Sequence, residues 1–129
     1  MNEYNLNMPD YCLPLVGIPL PTKIYRLCDT VPISNWDLLS HVERKDARAD
    51  PSDCTHWGLS VWTSVEDVKH AFGLFKSFKK KPIYAAVVTP DQGCLKHTPK
   101  NRQKNHHTFW RRHDKDVFSL FSISLDVVV

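Results

Sequence analysis

The chain lacks any apolar run long enough to cross a membrane. Its 129 residues are 42% hydrophobic and 24% charged, and no stretch approaches the roughly 18 consecutive apolar residues of a membrane helix. The N-terminus also lacks a basic segment before its first apolar stretch, and four prolines interrupt that stretch, so the features of a secretory signal are missing. We therefore expect a cytoplasmic protein that makes no contact with membranes.

The chain is also poor in cysteine, and its cysteines are widely spaced. Small secreted domains carry dense cysteine patterns that form disulfides, and this sequence has no such pattern. We therefore expect reduced thiols at Cys12, Cys28, Cys54 and Cys94.

Two Cys/His pairs have the chemistry of a zinc site. Two thiols and two imidazoles come from Cys54 with His56 and from Cys94 with His97. Four ligands of this softness are what a closed tetrahedral zinc site requires. The first pair is closer in sequence than in common zinc knuckles, and the two pairs are far apart along the chain. We therefore predict no bound metal and retain this set of four as the alternative.

Positive charge is concentrated in the second half of the chain. The net charge is only +3, but segment 96–115 holds seven Lys or Arg residues and one acid, Asp114. Segment 76–81 adds four lysines. A local excess of positive charge attracts polyanions, so we expect the partner to be a phosphate-bearing small molecule or a nucleic acid.

The clearest secondary-structure signal runs over residues 58–75. Its first five residues alternate with the period of two that is typical of a half-buried strand. Thr63 is followed three residues later by Glu66, and Ser64 by Asp67, and these two overlapping capping boxes predict the start of a helix. The apolar face that would pack on the sheet consists of Val65, Val68, Ala71, Phe72 and Phe75.

The remaining segments complete an α+β pattern. We expect a proline-rich arm over residues 1–22 and a single domain over residues 23–129. The further predicted elements are strands over 23–28, 83–88 and 117–125, a helix of two to three turns that begins at Ser34, and an aperiodic loop over 95–112. Together they predict an α+β fold with a small, mostly antiparallel or split sheet and two short helices. The predicted core residues are Trp62, Val68, Phe72, Tyr84, Val87, Phe121 and Ile123.

The order of these elements resembles the small ADP-ribosyltransferase-like domains. The residues that carry the resemblance are Ile24, Tyr25 and Arg26 on the first strand and the Leu-Ser-Val-Trp-Thr-Ser segment 59–64. The resemblance implies a nicotinamide dinucleotide cleft between these strands, with NAD as the candidate cofactor. The family's catalytic glutamate near the late strands has no counterpart, because the last glutamate of the chain is Glu66.

The predicted cleft lies between the first strand, the edge at residues 60–64 and the basic loop 106–112. Imidazole titrates near neutral pH, and guanidinium binds phosphate in a bidentate manner. The catalytic candidates are therefore His107 and His106; of two adjacent side chains on an extended backbone, one faces a given site. The ligand-binding candidates are Tyr25, Arg26, His41, Ser60, Trp62, Trp110, Arg111 and Arg112.

Two classes of function fit these residues. The first is a basic cleft that binds a nucleotide, an ADP-ribose-like molecule or a nucleic-acid backbone, with or without a reaction. The alternative is a non-enzymatic interaction or inhibitor protein that binds a macromolecular partner through its basic face. The two differ in geometry, because a cleft gathers Arg26, His41 and His106 or His107 in one concave pocket, whereas a binding protein displays them on an open face.

Overall fold

The computed structural model describes residues 4–29, 32–74 and 81–123. The regular elements of these segments are β1 (Thr22–Leu27), β2 (Leu59–Val61), α1 (Val65–Leu74), β3 (Ile83–Val88), β4 (Gly93–His97), β5 (His107–Arg111) and β6 (Ser122–Ile123). Short 3-10 turns occupy Asp10–Cys12, Asn35–Leu38, Cys54–Trp57 and Phe118–Leu120. The predicted α+β class is confirmed. None of the described helices has the length and apolar character that a membrane crossing requires.

The strands form two antiparallel sheets of three, with the orders β1-β3-β6 and β2-β5-β4. The two sheets meet where β1 passes the end of β2. There the amide of Tyr25 donates to the carbonyl of Trp62 at 2.7 Å, and the amide of Trp62 donates to the carbonyl of Tyr25 at 2.9 Å. This residue pair joins the two halves of the predicted split sheet.

Helix α1 begins where the capping signal predicts. The amide of Asp67 donates to Oγ of Ser64 at 3.1 Å, and that hydroxyl donates to the Asp67 carboxylate at 2.7 Å. The cap thus satisfies an amide that has no partner within the helix. Phe75, which was predicted on the apolar face, lies outside the described residues. The buried residues of that face are Val68, Ala71 and Phe72.

The second predicted helix is a single 3-10 turn, Asn35–Leu38. Its capping box forms, since the amide of Ser34 donates to the Asp37 carboxylate at 3.0 Å. The other carboxylate oxygen of Asp37 accepts from the amide of Asp29 at 2.6 Å, and the backbone is extended at Leu39. The buried Asp37 therefore ties the turn to the segment after β1, and the helical conformation ends after one turn rather than two to three.

The segment 95–112, where the sequence predicted an aperiodic loop, contains the end of β4 (Gly93–His97) and all of β5 (His107–Arg111), with an irregular connection over 98–106. The two strands pair antiparallel along five residues each. Four of the five residues of β5 are buried, and they include a histidine and a threonine. The signal of β5 was missed because burial on both faces removes the alternation of polar and apolar residues.

The prediction of one strand over residues 117–125 is wrong. Phe118–Leu120 forms a 3-10 turn, and β6 covers Ser122–Ile123; the rest of the predicted strand lies outside the described residues. The Asp116 carboxylate accepts hydrogen bonds from the amide and the hydroxyl of Ser119 at 3.2 and 2.8 Å. These hydrogen bonds stabilise the 3-10 turn, where the predicted strand would instead have paired with a neighbouring strand.

Most of the predicted core is buried, but two members are not. Val87 is 55% exposed and Ile123 is 51% exposed. Val87 lies near the end of β3, and Ile123 lies on the two-residue edge strand β6, so neither has a layer packed over it. The predicted core residues that are buried are Trp62, Val68, Phe72, Tyr84 and Phe121.

The expectation of reduced thiols is wrong for two cysteines. Cys12 and Cys54 form a disulfide although they lie 42 residues apart in sequence. The bond packs with Met8 and Trp110 in an apolar cluster separate from the main core. Folding brings the two thiols together, which their spacing could not show. The free cysteines, both buried, are Cys28 and Cys94.

Replacing Phe72 with alanine tests the packing of α1. Phe72 is 7% exposed and lies in a cluster with Tyr25 and Trp62. We expect Phe72→Ala to lower the free energy of unfolding by about 3–5 kcal/mol, since it leaves a cavity in a packed core. The exposed Val87 offers a control, because Val87→Ala should change stability by less than about 0.5 kcal/mol. Denaturant unfolding measures both, and equal stabilities would contradict the packing.

Candidate functional site

A cavity of about 490 Å³ lies where the two sheets meet. Its walls come from β1, from the segment after the Asn35–Leu38 turn, from β2 and from the connection between β4 and β5. The cavity brings together five of the residues that the sequence suggested for the site. These residues are Arg26, His41, Ser60, Trp62 and His106.

Arg26 is the buried cation of this cavity. Its Nε donates to the carbonyl of Asp37 at 2.7 Å, and its Nη1 donates to the carbonyl of Ser60 at 2.8 Å. No carboxylate of the described segments forms an ion pair with the guanidinium, and its Nη2 donates to none of their atoms. Burial lowers the pKa of Arg26 to about 10, so the side chain is still charged at neutral pH.

Three further cations line the cavity. Arg44 and Lys81 both bind the carboxylate of Asp29, at 3.3 and 2.8 Å, so part of their charge is compensated. Lys100 is exposed and forms no ion pair with any residue that the structure describes, and partial desolvation of its ammonium group by the surrounding protein lowers its pKa. Neither Lys100 nor Arg26 forms a direct ion pair with a described residue, although Asp53 attracts the first and Asp37 and Asp29 attract the second.

His106 is 2% exposed and also lines the cavity. Its Nδ1 lies 2.9 Å from the carbonyl oxygen of Thr98 and 3.1 Å from the hydroxyl of the same residue. That hydroxyl contacts the hydroxyl of Thr108 at 2.7 Å. Burial, together with the charge of Lys100, lowers the pKa of His106 to about 4. The imidazole is therefore neutral at physiological pH.

A second cavity, of about 380 Å³, shares part of its lining with the first. The indole of Trp62 is 4% exposed, its Nε1 donates to Oε1 of Gln103 at 3.1 Å, and its ring is perpendicular to that of His106. Trp62 is therefore part of the wall and does not offer the open face that stacking on a base requires. The shared lining residues are Trp62, Lys100, Gln103 and His106.

The other half of the candidate residues lies away from the cavity. Tyr25 is buried in the cluster beneath α1. Trp110 packs against the disulfide, and its Nε1 donates to the carbonyl of Cys54 at 2.9 Å. Both aromatic side chains stabilise the fold, and neither reaches the cavity.

The basic pair Arg111 and Arg112 is engaged elsewhere in the chain. Nε of Arg111 donates to the carbonyl of Leu38 at 2.9 Å. Arg112 binds both oxygens of the Asp114 carboxylate, at 3.0 and 2.7 Å. Both guanidinium groups are therefore engaged within the chain and are less available to a phosphate than the sequence suggested.

His107 points away from the cavity that His106 lines. Its ring centroid lies 5.1 Å from that of His97, and its Nδ1 lies 2.8 Å from the carbonyl oxygen of Asn105. Adjacent residues of an extended backbone face opposite sides. Of the two catalytic candidates, the structure therefore brings only His106 to the site.

Lys100 and Gln103 line both cavities, and neither is among the site residues that the sequence suggested. They form a tight turn between β4 and β5, in which the amide of each donates to the carbonyl of the other at 3.0 and 2.9 Å. The sequence signal that pointed to Lys100 was the excess of basic residues in segment 96–115. Without the turn there was no reason to choose Lys100 over Arg111 or Arg112.

The alternative zinc site is not assembled. The sulfur of Cys54 is in a disulfide, so it is not a thiolate ligand. Nδ1 of His56 accepts from the amide of Asp50 at 2.8 Å, and its Nε2 lies 3.5 Å from the Asp53 carboxylate. In the described part of the chain no group of three or more His, Cys, Asp or Glu residues could hold a metal ion.

Comparison with known proteins does not assign the chain to a family. No protein-family model matches the chain, no curated protein matches it, and no solved structure matches it.

The neutral state of His106 predicts a pH dependence of stability. The pKa of about 4 in the folded chain lies below the ordinary value of 6.5, so between these pH values the unfolded chain binds a proton that the folded chain excludes. The contribution of His106 is fully present above the ordinary pKa. It is lost as the pH falls toward 4, on the order of 3 kcal/mol for the whole shift.

His106→Asn isolates this contribution from that of other histidines. Burial also lowers the pKa values of His41, His107 and His113. The dependence of wild-type stability on pH therefore contains contributions from several histidines. We expect the free energy of unfolding to fall less for His106→Asn than for wild type between about pH 7 and about pH 4.5. Parallel profiles of the two proteins in urea unfolding would contradict a buried neutral imidazole.

Proposed function

We propose that the chain binds a phosphate-bearing ligand, of the nucleotide or ADP-ribose type, in the cavity between its two sheets. The observation that supports this most is the buried guanidinium of Arg26, which hydrogen-bonds to two carbonyl groups and forms no ion pair with a described carboxylate. A buried charge is costly when no carboxylate pairs with it directly, and the carboxylates of Asp37 and Asp29 attract Arg26 only from beyond ion-pair distance. Because guanidinium matches the geometry of phosphate oxygens, a phosphate group is the anion that best completes the site.

The size of the site favours a ligand larger than a single phosphate. Cavities of about 490 and 380 Å³ that share four lining residues fall in the range of small-molecule sites. A ligand with two linked halves, such as ADP-ribose or NAD, has the form to occupy both. Lys100 lies on both cavities, so its ammonium group is suited to the linking phosphates.

The resemblance to ADP-ribosyltransferase-like domains supports the same class of ligand. Arg26 on the first strand and Ser60 on the second line one cavity, as a dinucleotide cleft between these strands requires. Neither Glu43 nor Glu66 lines that cavity. The proposal is therefore for binding, with NAD as the candidate cofactor, and it assigns no transferase reaction.

An interaction or inhibitor protein with an open basic face is the alternative. The concave placement of Arg26, His41 and His106 favours the cleft, whereas Arg111 and Arg112 are bonded within the chain. A nucleic-acid backbone offers the same phosphate chemistry as a nucleotide. For this reason the binding test includes an RNA.

The compartment in which this binding occurs is part of the proposal. The sequence favoured the cytoplasm, but disulfides persist in oxidising compartments and are rare in the cytosol. The Cys12–Cys54 bond therefore supports a non-reducing setting. Thiol alkylation of protein taken directly from cells would show which state the pair adopts.

Lys100→Ala tests the phosphate site without disturbing the interior. We expect calorimetry against ADP-ribose and NAD to show at least about tenfold weaker binding, because a charge-assisted hydrogen bond contributes roughly 1.5–3 kcal/mol. Lys96→Ala removes the same charge from an exposed residue outside both cavities. Lys100 is exposed as well, but Lys96 does not line the cavities, so the control should change the affinity by less than about twofold at physiological salt, where a charge without direct contact to the ligand is screened.

The same panel separates the alternatives. If a short RNA binds and Lys100→Ala and Lys96→Ala weaken it equally, the chain binds nucleic acid through its general charge and not through the cavity. Failure of the wild type to bind ADP-ribose, NAD or RNA would overturn the proposal and leave the interaction protein. Thermal melts of each variant show that the fold is retained.

A further inference from the structure

Nε2 of His106 is a buried polar atom with no hydrogen-bond partner in the segments that the structure describes. The residue is 2% exposed and is among those that line both cavities of the candidate site. Buried polar atoms are nearly always hydrogen-bonded, and an unpaired one lowers stability. A ligand group that reaches this nitrogen would remove that cost.

The hydrogen bonds of Nδ1 determine whether Nε2 can donate or accept a hydrogen bond. Nδ1 lies 2.9 Å from the carbonyl oxygen of Thr98, and a carbonyl only accepts, so Nδ1 carries the proton of the neutral ring. The hydroxyl of Thr98 is free to donate to the hydroxyl of Thr108 at 2.7 Å. Nε2 is therefore a lone-pair acceptor, and its orientation is held by a buried network.

An acceptor at this place does not bind phosphate. The oxygens of an ionised phosphate are acceptors too, so two lone pairs would face each other. Arg26 and Lys100 supply the donors for the anion. The two kinds of group therefore recognise different parts of one ligand, and this differs from a histidine that protonates a phosphate oxygen.

We propose that Nε2 of His106 accepts a hydrogen bond from the organic part of the ligand. The inference rests on the proposed phosphate site and narrows its ligand to a phosphate ester that carries a hydroxyl or N–H donor, as nucleoside and sugar phosphates do. Inorganic phosphates without such a donor would bind to the cations alone. His106 is then a specificity-determining residue.

His106→Asn is the matched variant for this test. The asparagine amide can donate to the carbonyl of Thr98 as Nδ1 does, but it places no atom at the position of Nε2. The probes are ADP-ribose, which has hydroxyl and N–H donors, ribose 5-phosphate, which has hydroxyl donors, and trimetaphosphate, which is an anion with neither. Calorimetry of each probe is compared between wild type and variant.

We expect His106→Asn to weaken ADP-ribose about tenfold, the usual effect of one lost hydrogen bond, and to leave trimetaphosphate within about twofold. Loss of ribose 5-phosphate affinity as well would assign the donor to a sugar hydroxyl, and loss for ADP-ribose alone would assign it to the adenosine half. His106→Gln, whose amide oxygen can approach the Nε2 position, should restore part of the affinity.

A spectroscopic readout does not depend on affinity. In ¹⁵N NMR of the wild type, Nε2 of His106 should be unprotonated in the free protein and should shift on binding ADP-ribose but not trimetaphosphate. A protonated Nε2, or equal ADP-ribose binding by wild type and His106→Asn, would overturn the inference while the phosphate site stands. If neither ADP-ribose nor trimetaphosphate binds the wild type, the proposed function itself fails.

Discussion

The guanidinium of Arg26 joins three parts of the chain that are separate in sequence. From β1 it donates to the carbonyl of Asp37 in the 3-10 turn and to the carbonyl of Ser60 on β2. The carboxylate of Asp37 binds the amides of Asp29 and Ser34. One buried polar network therefore orders the turn, the end of β1 and the edge of the second sheet. Each of these groups would be costly to bury without the others.

This network also places the candidate site. The two sheets touch at the Tyr25–Trp62 pair, and the cavity opens beside that junction, with Arg26 on one sheet and Ser60 on the other. The described residues accept hydrogen bonds from Nε and Nη1 of Arg26 and none from its Nη2, and the carboxylates of Asp37 and Asp29 attract its charge without an ion pair. In the proposed site, Nε2 of His106 is the hydrogen-bond acceptor, and Nδ1 of the ring contacts Thr98, whose hydroxyl contacts that of Thr108. A cation and an acceptor on one cavity suit a ligand that has both an anionic and a donor part.

The parts of the site that could be predicted lie on elements with strong local signals. Arg26, Ser60 and Trp62 belong to short strands with β-branched and aromatic residues, and a strand order is enough to bring them near one another. Trp110, Arg111 and Arg112 were misplaced because β5 is buried on both faces and its period is hidden. Without β5, the sequence does not show which basic side chains of segment 96–115 face the site. Lys100 therefore could not be distinguished from the other basic residues of that segment.

The sequence by itself determined the α+β class, the capped start of α1 and the Ser34–Asp37 capping box, since hydrophobic period and capping chemistry act over a few residues. Tertiary structure decided the rest. Three features depend on which segments become neighbours in space: the Cys12–Cys54 disulfide, the exposure of Val87, and the lack of a partner for Nε2 of His106 among the described residues. Contacts between residues far apart in sequence leave no local pattern, so composition and spacing could not reveal them.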